Sequence, residues 1–313
     1  LRDRGVTNEL NFTASGETDA GYTWSYSMEL DPGENSTSPQ SNANNDDTKL
    51  TLGTPYGTFG VFISEGGLDL EDAGSQSVYA RPTDMGDPSA TSDNFTIDSY
   101  NNVQYHTPAD LLPFGTSFKI AYAPNTSDTA AGSSGNNAGA VHTRSSTDSG
   151  NNATEMQVKA APIDGLAIGA SYFEFDGSGI AKSDQEAESG AYYATYATGP
   201  VSIGYSKALY APFGANTASS TGAAYATDVD YYDQTNYSIA FAASDDLSVS
   251  YERETSEKKL HNASSVEQES SAVQVAYNMG GMTVAVSHAS HDNNAYVDGD
   301  NTDQTLFAVT MAF

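Results

Sequence analysis

From Tyr22 to Leu30 the chain reads Tyr-Thr-Trp-Ser-Tyr-Ser-Met-Glu-Leu. Tyr22, Trp24, Tyr26, Met28 and Leu30 therefore share one face, and Thr23, Ser25, Ser27 and Glu29 the other. A helix, at 3.6 residues per turn, would mix these two sets; an extended strand keeps them apart. The last segment behaves alike, with Phe307, Val309, Met311 and Phe313 set against Ala308, Thr310 and Ala312. The same period runs through 10–12, 50–52, 59–63, 103–105, 118–122, 156–160, 166–172, 192–196, 201–205, 237–241, 247–251, 273–277 and 284–286. That makes about fifteen strands of the length a tilted membrane-spanning strand needs. The chain is expected to be all-β.

The links between these strands alternate in length. Short ones fall at 17–20, 54–56, 162–165, 198–200, 244–246 and 280–281, and long ones at 31–46, 65–101, 123–151, 176–188, 212–229, 254–267 and 290–303. The link 108–115 stands in a short slot but is longer than its peers. A soluble sandwich has no reason to sort its loops by length, whereas outer-membrane barrels place tight turns on the periplasmic side and long loops outside. The expectation is one transmembrane antiparallel up-and-down β-barrel over 1–313, with the long third loop at 65–101.

Composition agrees with this and excludes alternatives. Only 38% of the 313 residues are hydrophobic, and no run approaches the ~18 apolar residues of a membrane helix. Strands escape such a scan because only every second residue faces lipid. There is no cysteine, so disulfides and thiolate metal sites are excluded. A formal charge of −29 with twelve Lys and Arg argues against a nucleic-acid partner. The 20 tyrosines and the patterning separate the chain from acidic disordered proteins. No nucleophile elbow, phosphate-binding loop or dinucleotide fingerprint occurs, and an enzyme is not expected.

Strand parity adds an expectation. If the chain ends at Phe313 on the short-turn side, the strand near 7–16 runs from the long-loop side toward the short turns. Bacterial barrels have even strand numbers. Residues Leu1–Gly5 then read as the end of a first long loop, with one strand upstream and a barrel of about sixteen strands.

Leu10-Asn-Phe12-Thr-Ala-Ser-Gly16, its short turn and the alternating run to Leu30 resemble the second and third strands of the trimeric general-diffusion porins of Gram-negative outer membranes. Leu50-Thr-Leu52-Gly-Thr-Pro-Tyr-Gly57-Thr-Phe59-Gly is similar to the strand–turn–strand preceding that family's third loop, and Asn102-Val103-Gln-Tyr105 to the strand after it. The chain ends in Phe313, as family members usually do. The resemblance implies a homotrimer in the outer membrane, in contact with the bilayer and lipopolysaccharide. It also implies that loop 65–101 folds into the barrel as a constriction and that Phe313 is an assembly signal. It departs from the family at 7–16, where no basic residue stands at an inward position, so a strong charge ladder facing the loop is not expected.

A pore needs a polar inner wall, an apolar outer belt and a constriction. The inward set by alternation is Glu9, Asn11, Lys49, Gln104, His106, Lys119, Glu155, Gln157 and Lys159. The third loop supplies Asp69, Glu71, Asp72, Asp84 and Asp87 with Arg81; this acid excess favours cations. Tyr22, Trp24, Tyr122, Tyr172, Tyr205, Tyr251 and Tyr277 fit interfacial aromatic girdles. Asp298, Asp300 and Asp303 could together hold Ca²⁺, although their spacing is not that of an EF-hand and a solvated acidic loop is the simpler reading. His288 and His291 are close in sequence, but nothing nearby requires a metal. The expected function is passive diffusion of ions and small hydrophilic solutes, with cation preference and no required cofactor. The alternatives are a substrate-selective porin, which for sugars would need an inward aromatic track, and a surface adhesin or structural barrel without an open pore.

Overall fold

The computed structural model describes residues 10–32, 43–84, 95–108, 110–126, 152–176, 188–211, 229–260 and 263–311. Glu9, Asp87, Phe313 and the segment Leu1–Gly5 lie outside the described residues. The strands, in chain order, are β1 (Leu10–Glu17), β2 (Thr23–Pro32), β3 (Ala43–Thr54), β4 (Gly57–Ile63), β5 (Asn102–His106), β6 (Ser117–Ala123), β7 (Asn152–Ile163), β8 (Leu166–Asp176), β9 (Glu188–Thr198), β10 (Val201–Ala211), β11 (Val229–Ala242), β12 (Leu247–Leu260), β13 (Val266–Asn278), β14 (Met282–Asp292) and β15 (Thr302–Met311). They form one 15-stranded sheet in which each strand pairs with its sequence neighbours. No pairing joins β1 to β15 among the described residues.

Contacts group the chain into two compact units. The first comprises Leu1–Leu68, Thr96–Gln157 and Phe173–Gly179; the second comprises Asp69–Phe95, Val158–Tyr172 and Ile180–Phe313. Each unit inverts the burial of a water-soluble sheet. In the first, Leu10, Phe12, Leu50, Phe59, Val61 and Val103 are exposed while Asn102, Gln104, Glu155 and Gln157 are buried. In the second, Ile203, Tyr237, Ile239, Phe241, Tyr251, Val273 and Val275 are exposed while Ser206, Asn236, Ser238, Glu252, Glu254, Ser270 and Gln274 are buried. Apolar-out, polar-in is stable only where the outer medium is itself apolar.

Local sequence explains the turns and pairings. At Thr54–Gly57 the Thr54 hydroxyl donates to Gly57 O at 2.8 Å, and Gly57 takes φ +124°, which a side chain would resist. Gly16 lies opposite Trp24, whose indole lies across it, so the ring supplies the side-chain contact the glycine lacks. The outward tyrosines form cross-strand rows, with Tyr205 6.2 Å from Tyr192 and 5.2 Å from Tyr237.

One expectation is corrected. The segment 254–267 is not a long loop: β12 continues to Leu260 and β13 begins at Val266. Hydrophobic alternation stops at residue 251, but the hydrogen-bond ladder runs on from Arg253↔Ser271 to Lys258↔Val266. Beyond an apolar belt a strand needs only backbone pairing, and here ion pairs replace apolar contacts. Arg253 bonds Glu269 through two nitrogens at 2.7 and 2.6 Å, and Lys259 pairs with Glu257.

Candidate functional site

The third loop lies along the buried polar face of the strands, and its anchors are legible residue by residue. In the first unit Glu155 of β7 sits on the inward face. One of its oxygens accepts the Leu68 N–H at 3.2 Å and the Ile97 N–H at 2.9 Å, tying the two limbs of the loop together. Such charge-assisted bonds let a carboxylate stay buried. Gln157 donates to Leu68 O at 2.8 Å, Gln104 to Gly66 O at 2.6 Å, and Asn102 to Glu65 O at 3.1 Å. Lys49 pairs with Glu65, and His106 Nε2 lies 2.8 Å from Gln104 Oε1, directly opposite Lys119 in the β5–β6 register. Glu155, Gln104 and Gln157 thus occupy the expected inward face but hold the loop there, covered by it. Asn11 is exposed on β1 and Lys159 is half-buried on β7.

In the second unit the loop rests on a seat of small residues. Leu70 packs with Ala191 of β9 and Ala208 of β10, next to a 3-10 turn at Glu71–Gly74. Ser206 donates to Glu71 O and Ser238 to Gly74 O, both at 2.8 Å. At this point the backbones touch: a Cβ on Gly204 would stand 1.8 Å from Gly74 O, and one on Gly74 would stand 2.7 Å from Ser206 Cβ. The close approach requires glycine on both sides.

Beyond the seat, acids and amides on β12 and β13 grip the loop. Glu252 accepts from the Ser75 and Ser77 hydroxyls at 2.6 and 2.5 Å. The Val78 N–H donates to Ser250 Oγ at 3.0 Å and the Tyr79 N–H to Gln274 Oε1 at 3.0 Å. Glu254 accepts from the Thr83 N–H and hydroxyl at 3.1 and 2.6 Å, and lies 3.5 Å from Arg81. Arg81 also pairs with Asp72 and, at 3.2 Å, with Asp84.

This cluster is the electrostatic centre of the loop. Burial works against the Arg81 charge, but Glu254, Asp72 and Asp84 outweigh it and raise its pKa, so it is a fixed cation. Asp72 keeps about half of its side chain open to water (54%). Its carboxyl is nonetheless pushed up to about 7, first by loss of surrounding water, then against Arg81 by Glu254, Asp84 and Asp69. Asp72 and Asp84 are exposed, whereas Asp69 and Glu71 are half-buried. The structure therefore brings Asp69, Asp72, Arg81 and Asp84 into one charged group. Among the described residues no group of three His, Asp or Glu is placed to hold a metal, Asp298, Asp300 and Asp303 included.

Sequence reasoning missed Glu252, Glu254, Gln274 and the Gly204 seat. The signal was present in the alternation of Ser250, Glu252, Glu254 and Ser256 with Val249, Tyr251 and Arg253. It also missed inward aromatics: Tyr210 and Tyr232 are buried on the polar face, 5.6 Å apart.

No family model and no curated protein matches the sequence. Solved structures do. An anion-selective porin from Comamonas acidovorans aligns at 11% identity and TM-score 0.63, over 98% of this chain and 90% of that one. OmpF of Salmonella typhi, in complex with daunomycin, aligns at 12% and 0.61, over 96% and 88%. A loop-deletion mutant of OmpT, an outer membrane protein of Vibrio cholerae, aligns at 12% and 0.60, over 96% and 89%. The chain therefore has the all-β fold of the outer-membrane porins, as the sequence resemblance implied.

Proposed function

We propose that the protein is an integral outer-membrane porin, a water-filled channel through which ions and small hydrophilic solutes diffuse passively, with a preference for cations. The observation that carries this reading is the third loop fixed on the inward face by Glu252 and Glu254, with Asp69, Asp72 and Asp84 around Arg81. An excess of fixed negative charge beside a conducting path raises the local cation concentration. The apolar outward face supports bilayer contact, the fold supports a homotrimer, and the acidic surface suits divalent-bridged contact with lipopolysaccharide. We read the chain as a transport protein rather than an enzyme, needing no cofactor.

The test is the zero-current potential in a salt gradient for the wild type and for the triple variant Asp69→Asn, Glu71→Gln, Asp72→Asn. The wild type should be cation-preferring and the variant less so. Identical potentials would remove these carboxylates from the selectivity filter.

A further inference from the structure

The loop between β14 and β15 folds onto the inward face of the second unit, and it does so under strain. Asn293, Ala295 and Tyr296 all adopt left-handed backbone conformations, with φ of 56°, 53° and 59°. For Ala and Tyr these are unfavourable, and such outliers persist only where the surroundings impose them. They deliver the Tyr296 side chain into a polar recess. Its ring centroid lies 5.4 Å from that of Tyr232, and the Lys258 ammonium stands 5.8 Å from the centroid. Its hydroxyl lies 2.7 Å from Ser256 Oγ. Behind Tyr232 the aromatic row continues to Tyr210 at 5.6 Å and on to Phe95 at 4.7 Å.

The recess has more hydrogen-bonding capacity than Tyr296 uses. Gln268, paired with Ser256 across the β12–β13 ladder, is 1% exposed, yet neither its amide nitrogen nor its amide oxygen has a partner among the described residues. Asn294 Oδ1, in the same loop, is likewise buried and unpartnered. Orphaned polar atoms at this depth are costly. Within the recess a flat ring leans at 50° against a second aromatic ring, with one hydroxyl bonded and a donor and an acceptor left over. Those are the terms on which proteins bind hydroxylated six-membered rings.

We infer that this recess, built by Tyr232, Ser256, Lys258 and Gln268, is a binding subsite for a hydroxylated ring solute, and that Tyr296 occupies it as a displaceable internal ligand. A pyranose ring would lay its apolar face on Tyr232 and give its hydroxyls to Ser256 and Gln268. Release of Tyr296 would relax the loop backbone. The inference rests on the porin reading above and narrows it to a channel with an affinity site for neutral polyhydroxylated rings.

The experiment is equilibrium titration of the folded, detergent-solubilised full chain with maltose and, separately, with phenol, followed by calorimetry. Channel conductance is recorded on the same preparations. Wild type should bind maltose weakly. Tyr296→Ala should bind about tenfold more tightly, because it removes the competitor for the site. Tyr296→Phe should fall between them, and Tyr232→Ala should lose binding. Phenol binding without maltose binding would overturn the pyranose assignment. Equal affinities in wild type, Tyr296→Ala and Tyr232→Ala, or no heat from any of them, would overturn the site. An open channel without binding would leave the porin reading intact, whereas binding by a protein that never conducts would overturn that reading instead.

Discussion

At the scale of single residues, the carboxylates of the loop and its seat have distinct duties. Glu155, Glu252 and Glu254 are engaged in hydrogen bonds to the loop, while Asp72 and Asp84 are exposed and are the carboxylates proposed to act on passing ions. Glu155→Leu would leave the Leu68 and Ile97 N–H groups buried without an acceptor. It should destabilise the protein by about 1–3 kcal/mol for each group, read as a lower midpoint in urea, whereas Glu155→Gln should recover most of the loss. Asp72 carries a pH dependence of defined sign. Its pKa is raised in the fold to about 7, so its ionised form is the disfavoured one. The stability this group contributes is therefore fully present below the ordinary carboxylate pKa and is lost as pH rises through about 7. Selectivity moves the other way: cation preference should weaken as pH falls through about 7, and Asp72→Asn should flatten that step. Salt screens a half-open carboxylate, so the step should be clearest at low ionic strength.

At the scale of elements, the strands were legible and the loop's seat was not. Alternation at Tyr22–Leu30 or 237–241 exposes an apolar row that nothing but a strand could produce, and β2 and β11 lie there. It failed at 254–260 and at 229–236, where both faces are polar or aromatic and the backbone ladder alone extends the strand. Apolar alternation therefore does not mark Tyr232 and Glu254 as inward strand residues. The acids of the third loop could be named from composition. Their partners on β12 and β13 could not, because a contact across more than 170 residues leaves no local mark in the sequence. The glycine seat is testable at this scale. Gly204→Ala places a methyl against Gly74 O. It should displace the loop at a cost of about 1–3 kcal/mol and change single-channel conductance, while Ala208→Gly nearby should leave the Gly204–Gly74 contact in place. On the opposite face, Ile239→Arg should cost about 2–4 kcal/mol if that face meets the lipid midplane. Unchanged folding into lipid vesicles would place Ile239 outside the membrane.

At the scale of the whole molecule, one physical inversion organises the chain. The strands bury most of their Ser, Asn, Gln and Glu, with Ala and a few aromatics, and expose rows of Val, Ile and Tyr; the third loop is held on the buried side by those polar residues and by its own Leu68, Leu70, Phe95 and Ile97. A net charge of −29 is consistent with the proposed preference for cations. The all-β up-and-down architecture was legible in the sequence because alternation and loop lengths are global properties. Strand alternation already turns Tyr210 and Tyr232 to the face opposite Tyr205 and Tyr237, but their standing side by side is set by the β10–β11 register, which no local pattern shows.

The central proposal is that the chain forms an open, cation-preferring water path. Single-channel recording in a planar bilayer, with a salt gradient across it, tests that claim most directly. The account predicts stepwise ohmic openings, grouped in threes for a trimer, with a zero-current potential of the sign set by cations. A folded protein that inserts but carries no current, or one whose potential takes the anion sign, would contradict it.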